Sequence, residues 1–324
     1  MKRDAGVTGG GLKTLLAPHA EHGYEDLIEA CRDIATGCPG IRSLTHLTLN
    51  SVDFAVRDAE AEPFPATRSW DDEVETEGLP AQRLVRWVLE TDSVMRPLLT
   101  GELMRVLIVT RSGGMQYSRV RDGQYLVGMA TDSDACRAMD DRMNPKVTEV
   151  RRLLYDQGDE MPGGSVDVAK QPLTDQVPLA MQVSTDDRDE ENRLRGIWLR
   201  HLNPDDLNHA AYYRAGRSVC AGDCFEHSKP DKVLRGVAPQ RRRAMYRELV
   251  TRMLNSRTEL GEILAPLTGD PIERLVLDVQ MGAFFMHWLD HAAGDFAVGV
   301  TAFQEQVKVA EERLGDLIHD LGRR

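Results

Sequence analysis

The segment VLIVTRSGGMQYSRVRDGQYLVGMA, residues 106–130, decides the fold of the first half of the chain. Val106–Val109 is a short apolar strand. Ser112-Gly113-Gly114 and Arg121-Asp122-Gly123-Gln124 supply the glycines that tight hairpin turns need at positive φ. Between and after them, Met115–Val120 and Tyr125–Ala130 run back and forth. Three strands joined by two tight turns make an antiparallel meander.

Working towards the N-terminus, Leu44–Val56 also alternates, with a phase slip at Asn50-Ser51 that marks a bulge or turn. Tyr24, Leu27, Ile28, Cys31, Ile34 and Ala35 follow helical spacing over 22–36, and Gly37 and Pro39 stop that helix. Residues 57–80 read as a break, with Pro63, Pro65 and a solvated acidic run over 71–77. A helix comes next, over about 81–92. Working towards the C-terminus, Asn144-Pro145 opens a helix to Tyr155. Residues 156–176 read as loop and 177–184 as a last strand. The regular βαβ alternation of a doubly wound fold is missing.

From Thr185 onward the pattern reads as helical. Leu194, Ile197, Trp198 and Leu202 share a face. Asn203-Pro204 starts a helix carrying Leu207, Ala210 and Ala211, and residues 216–237 are irregular. Pro239 opens a helix with Met245, Leu249, Val250, Met253 and Leu254. Asp270-Pro271-Ile272-Glu273 resembles an N-terminal capping sequence, so 271–292 is expected to be one helix, apolar around most of its circumference. Phe303, Val307, Ala310, Leu314, Leu317 and Leu321 form a heptad seam. The expected fold is α+β: a mainly antiparallel sheet with flanking helices over 1–185, then an all-helical domain over 186–324. Residues 1–14 are expected to be mobile, and no repeat of solenoid period is visible.

Composition narrows the partners. The 324 residues carry 40 Lys or Arg against 52 Asp or Glu, a formal charge of −12 that disfavours duplex nucleic acid. The apolar fraction of 41% is too high for a disordered chain. No apolar window is long enough for a membrane span, and no secretory signal pattern is present. Five cysteines in no disulfide framework suggest a reducing, cytoplasmic setting. Thirty-three of the basic residues are Arg and seven are Lys, a bias typical of GC-rich bacterial or archaeal genomes.

Several constellations could carry chemistry. Thr8-Gly9-Gly10-Gly11-Leu12-Lys13-Thr14 has the Lys-Thr pair of a phosphate loop, but Leu12 replaces the usual glycine and no strand precedes it. Cys220, Cys224 and His227 have a spacing compatible with structural zinc, with His201, His209 or Asp223 as a fourth ligand. The third position is His, unlike the all-cysteine runs that hold iron–sulfur clusters. His287 and His291, four apart on the expected helix, could share one Zn or Fe ion, or could be that helix's solvated edge. Arg241-Arg242-Arg243 with Arg247 could hold an anion, or could pair with local acids such as Glu248. Asp186–Glu191 is acidic at a helix start, as the helix dipole favours. No nucleophile elbow, dinucleotide fingerprint or kinase set is present.

These features support two classes of function. One is a regulatory or interaction protein that binds a small molecule or protein partner, with a helical part for signalling or homo-oligomerisation through the last helix. The other is a metal-dependent enzyme using Cys220, Cys224, His227, His287 and His291. A shell or virion component is a third possibility that no residue selects.

Overall fold

Gly123, at φ 74°, turns the chain between the second and third strands of the meander, as its sequence requires. The strands are β4 (Leu103–Thr110), β5 (Gly113–Arg121) and β6 (Gln124–Ala130), paired antiparallel in that order. They belong to a computed structural model that describes residues 11–65, 73–156, 162–164, 168–170 and 179–323. Before them come β1 (Leu12–Leu16), α1 (Glu25–Thr36), β2 (Ile41–Thr48), β3 (Ser51–Asp58) and α2 (Glu73–Met95). After them come α3 (Ser133–Tyr155), β7 (Ala180–Val183), α4 (Arg188–His201), β8 (His209–Arg214) and β9 (Arg217–Asp223). The chain continues through α5 (Ser228–Val233), α6 (Pro239–Asn255), α7 (Arg257–Leu264), β10 (Ile272–Val279), β11 (Gly282–Asp290), β12 (Asp295–Thr301) and α8 (Val307–Gly322).

The all-helical expectation for 186–324 is overturned, because that half holds five strands, β8 to β12. The segment 271–292 is a hairpin, β10 and β11 in register from Arg274↔His287 to Val279↔Gly282. Leu275, Val276, Leu277, Phe284, Phe285 and Met286 are all buried, so both faces of these strands are apolar. A strand covered on both sides loses its alternation and imitates the circumference of a buried helix. Ala210 and Ala211 likewise lie on β8, and Arg217–Asp223, read as irregular, is β9. Two helices begin earlier than their spacing suggested. α2 starts at Glu73 and buries Val74 and Glu77, and α3 starts at Ser133, where the Asp132 carboxylate accepts from Ala135 N–H at 2.7 Å. The expected mobile stretch lies outside the described residues up to position 10, and Leu12–Thr14 lie in β1.

The chain forms two units. The first comprises Met1–Thr91, Arg105–Asp159 and Ser256–Ile272, and the second comprises Asp92–Met104, Glu160–Asn255 and Glu273–Arg324. Strand order along the first is β1-β3-β2-β6-β5-β4. Along the second it is β7-β9-β8-β12-β11-β10, the same path with new residues. The helices repeat as well: α1 and α3 pack on each other in the first unit, as α4 and α8 do in the second.

The match extends to individual residues. The β2–β3 pairing shifts between His46 and Leu47, which face Phe54 and Val52, leaving Asp53 as the extra residue. The β8–β9 pairing shifts between Tyr212 and Tyr213, which face Cys220 and Ser218, leaving Val219. Counting from this shared bulge puts Ser43 in the place of His209, Ala55 in that of Ala221 and Arg57 in that of Asp223. It also aligns Gly128 with Gly299. A Cβ on Gly128 would lie 2.6 Å from Met139 Sδ of α3, and one on Gly299 would lie 2.9 Å from Leu314 Cδ2 of α8. At the hairpin ends, Gly113 and Gly282 correspond, each crowded by a backbone oxygen, of Ala130 and of Thr301. No solenoid repeat was expected, and the repeat present is one large module used twice.

The heptad face of α8 is consumed inside the second unit. Val307, Ala310, Leu314, Leu317 and Leu321 are buried, and α8 packs on α4 and β12. Arg313 on the same helix donates to both carboxylate oxygens of buried Asp206, at 2.6 and 2.7 Å.

Two glycine substitutions test this account in opposite directions. Gly282→Ala would place a Cβ 2.1 Å from the Thr301 backbone oxygen, so it is expected to destabilise by about 2–4 kcal/mol. Gly315→Ala, on the exposed side of α8 with nothing within 4 Å, is expected to stabilise by about 0.5–1 kcal/mol. Denaturant midpoints of the two variants check both signs.

Candidate binding cleft

In each unit one helix crosses the sheet face opposite its α1/α3 or α4/α8 pair. Alternation along β3 sends Phe54 towards α1, where its ring meets Tyr24, and sends Arg57 towards α2. Along β9, Gly222 faces Trp198 of α4, and Asp223 faces α6.

The first unit closes this face. Arg57 donates to Glu73 at 3.0 Å and to buried Glu77 at 3.4 Å, two acids one turn apart on α2. Arg42 approaches Glu77 at 3.7 Å. Directly after Glu77, α2 presents Gly78, where a Cβ would lie 2.3 Å from Val52 Cγ2. The backbone of α2 therefore rests directly on β3.

The second unit leaves the same face open. The charges are reversed: the acid, Asp223, is on the strand, and Arg243 on α6 grips both its oxygens at 2.6 and 2.8 Å. Arg243 also reaches Glu226 at 3.1 Å, and these bonds, Asp223's first, hold its guanidinium protonated. Beside this pair lies a cleft of about 310 Å³. Ala211 and Ala221, direct partners across β8 and β9, line its sheet side, with Ala180 to Gln182 of β7 at the edge. Tyr246, Arg247 and Val250 of α6 line the other side.

His209 is the distinctive group. It lines the cleft, is 8% exposed, and its Nδ1 has no hydrogen-bond partner. Its ring stacks against Phe225 and Tyr246, with centroids 5.7 and 6.0 Å away. Burial pushes the imidazole below its ordinary pKa, and Arg243 and Arg247 add to that against the opposing pull of Asp223 and the Gly222 backbone. The ring is neutral at pH 7. Burial also raises the Tyr213 phenol, so it stays protonated.

Ser218, His209 and Asp223 all line the cleft but do not form a charge relay. His209 is paired with Asp223 and Ser218 with Tyr213, four residues along β8, which is about 13 Å in an extended strand. Both Asp223 oxygens are occupied by Arg243. A nucleophile must lie within hydrogen-bond reach of its base.

The cysteines and histidines expected to bind metal are dispersed. Cys220, mid-β9, is on the α4 side near Arg195, whereas Cys224 comes after the strand and donates its thiol to the Asn208 carbonyl at 3.4 Å. His227 is the N-cap of α5, its Nδ1 accepting from Lys229 N–H. His287 and His291 are not on a helix. His287 is on β11, 3.3 Å from Glu311, and His291 comes after that strand with its ring stacked on Trp288. Four residues of extended chain separate the two by about 13 Å, too far for one ion. Among the described residues no group of three His, Cys, Asp or Glu side chains is arranged to hold a metal. Lys13, of the glycine-rich stretch, is on a strand and pairs with Glu73.

The arginine cluster is resolved residue by residue. Arg242 is buried and donates to the Leu234 carbonyl, Arg243 holds Asp223, and Arg247 lines the cleft. Asp186–Glu191 opens α4, with Asp187 capping Asp189 and Glu190. No helix among the described residues is long and apolar enough to cross a membrane. Compared with known proteins, the chain matches no family model and no curated sequence.

A buried carboxylate in the first unit also invites a role. Asp53, the bulge residue, accepts from Thr48 at 2.7 Å and bonds His46 at 2.9 Å and His19 at 3.0 Å. His46 and Asp53 are fully enclosed, and the cavity beside His46 is about 10 Å³, room for one water and no substrate.

Both the carboxylate and the thiols give measurable consequences. Burial alone would raise the Asp53 carboxyl, but the bonds from His46, Thr48 and His19 hold it below its ordinary value. A depressed folded pKa contributes stability that is present above about pH 4 and fades as pH falls through the folded pKa. Asp53→Asn is therefore expected to lose about 1–3 kcal/mol at pH 7 and to show a shallower stability loss on acidification, read by urea unfolding at several pH values. Separately, burial pushes the Cys31, Cys220 and Cys224 thiols up to about 12, and all five cysteines are buried. Native protein at pH 8 is expected to resist iodoacetamide and to be alkylated at all five sites only after unfolding, which mass spectrometry would count.

Proposed function

We propose that the chain is a non-catalytic, regulatory or interaction protein that binds a small molecule in the cleft between α6 and the β7–β9 side of its second unit. The supporting observation is the internal comparison. Where the first unit seats α2 on β3 with Gly78 against Val52, the second keeps a space of about 310 Å³ beside the buried, ring-stacked His209. That volume lies at the lower end for small-molecule sites.

The scattered thiols and imidazoles favour this reading over a metal-dependent reaction. Five cysteines with no disulfide among them suit the reducing interior of a cell. The helical assembly domain has no part in the proposal, since that half is built on strands and the α8 seam is used within its own unit.

The test is a fragment screen by ligand-observed NMR, then backbone shift mapping on the full chain. Hits are expected to perturb residues 180–182, 209–223 and 243–250 together. Hits that scatter over the surface, or that map only to the first unit, would overturn the assignment.

A further inference from the structure

We infer that the ligand of this cleft is a small monoanion with a flat apolar body, an aryl carboxylate in chemical class, whose carboxylate is met by Arg247. The inference rests on the cleft being the working site and adds what the site selects.

Charge gives the first argument. Two guanidinium groups reach the cleft, and one is already matched: Arg243 is bound to Asp223 and Glu226. Arg247, one turn further along α6, forms no ion pair or side-chain hydrogen bond among the described residues. Its charge is felt at both His209 and Tyr213, so it acts across the width of the cleft. One uncompensated Arg matches one negative charge. A phosphoryl group would call for a cluster of unpaired donors, and among the described residues Arg247 is the one guanidinium of the cleft not already paired.

Shape gives the second. Ala211 and Ala221 face each other across two strands and make a low floor. Val250 and Tyr246 form the opposite wall on α6. A slot between a sheet floor and a helix admits a plate more readily than a branched chain. His209, Ala211 and Tyr213 are alternate residues of β8, so the slot is apolar in the middle and polar at both ends. The His209 ring closes one end of the slot, buried and stacked on Phe225 and Tyr246.

The experiment is calorimetric titration of the full chain at pH 7 with benzoate, its neutral isostere benzamide, and inorganic phosphate. Benzoate is expected to bind about tenfold tighter than either. Arg247→Gln is expected to bring benzoate to the level of benzamide, whereas Arg241→Gln, on the exposed part of the same helix, leaves it unchanged. Raising salt from about 0.05 to about 0.5 M should weaken benzoate and spare benzamide, a readout that needs no variant.

Equal binding of benzoate and benzamide, or indifference to Arg247→Gln, would overturn the anion assignment. If Ala211→Phe then still abolished both, the cleft would stand as a binding site of another selectivity. No binding of benzoate at all would overturn the inference, and fragment hits mapping away from the cleft would bring down the underlying reading with it.

Discussion

The charged residue that ends β3 or β9 on the face of the crossing helix determines what each unit can do. Burying an ion is tolerable only when an opposite charge and hydrogen bonds meet it. Each unit meets that requirement from the helix above. Arg57 is met by Glu73 and Glu77, and Asp223 by Arg243. The pair ties helix to sheet in both, but it sets only one point of contact. Beyond that point, the spacing depends on the size of the residues between the two surfaces. Gly78 over Val52 lets α2 settle, whereas Arg247 and Val250 over Ser218 and two alanines hold a gap.

The repeated plan makes this comparison a controlled one. The strand order, the bulge, the glycine under the packed helix and the crowded hairpin glycine recur in both units, so the framework is held constant while the crossing face varies. Ser43 gives way to His209 at a position next to the ion pair. The Ser43 hydroxyl is small, buried and without a hydrogen-bond partner among the described residues. The His209 imidazole is larger and is held in its place by stacking on Phe225 and Tyr246.

Legibility in the sequence tracked the turns. The β4–β6 meander was readable because Gly113 and Asp122-Gly123 announce hairpins by backbone chemistry alone. The β10–β11 hairpin turns at Gln280-Met281 before a single glycine, Gly282, where the β4–β5 turn has the pair Gly113-Gly114, and Asp270-Pro271 imitates a helix start. Asp270 instead accepts from Ser112 Oγ at 2.5 Å, a contact no local pattern can foretell. The repeat was invisible because its constraints are conformational: around the corresponding Gly128 and Gly299 the strands read LVGMA and AVGVT, which share only the Val-Gly pair. The site was half legible. Arg243 and Arg247 stood out as a cluster able to hold an anion, while His209 gained its character from Phe225 and Tyr246, distant in sequence. The His287/His291 pair failed for one reason, the period: four residues bring side chains together on a helix and part them on a strand.

A lone cation serving an anion in a chain of charge −12 needs a physical justification, since the protein as a whole repels its ligand. Screening supplies it. At physiological ionic strength charges beyond about 8 Å are largely masked, so the approach is governed by what lies nearest the cleft. There the two acids, Asp223 and Glu226, are already answered by Arg243, which leaves Arg247 as the uncompensated local charge. Arg247 is exposed at the cleft, so it meets an anion as a solvated guanidinium, and the alanine floor adds apolar contact for the rest of the ligand. The surrounding negative charge then becomes a filter: it penalises dianions and polyanions more heavily than a monoanion, whose single charge the one arginine can meet.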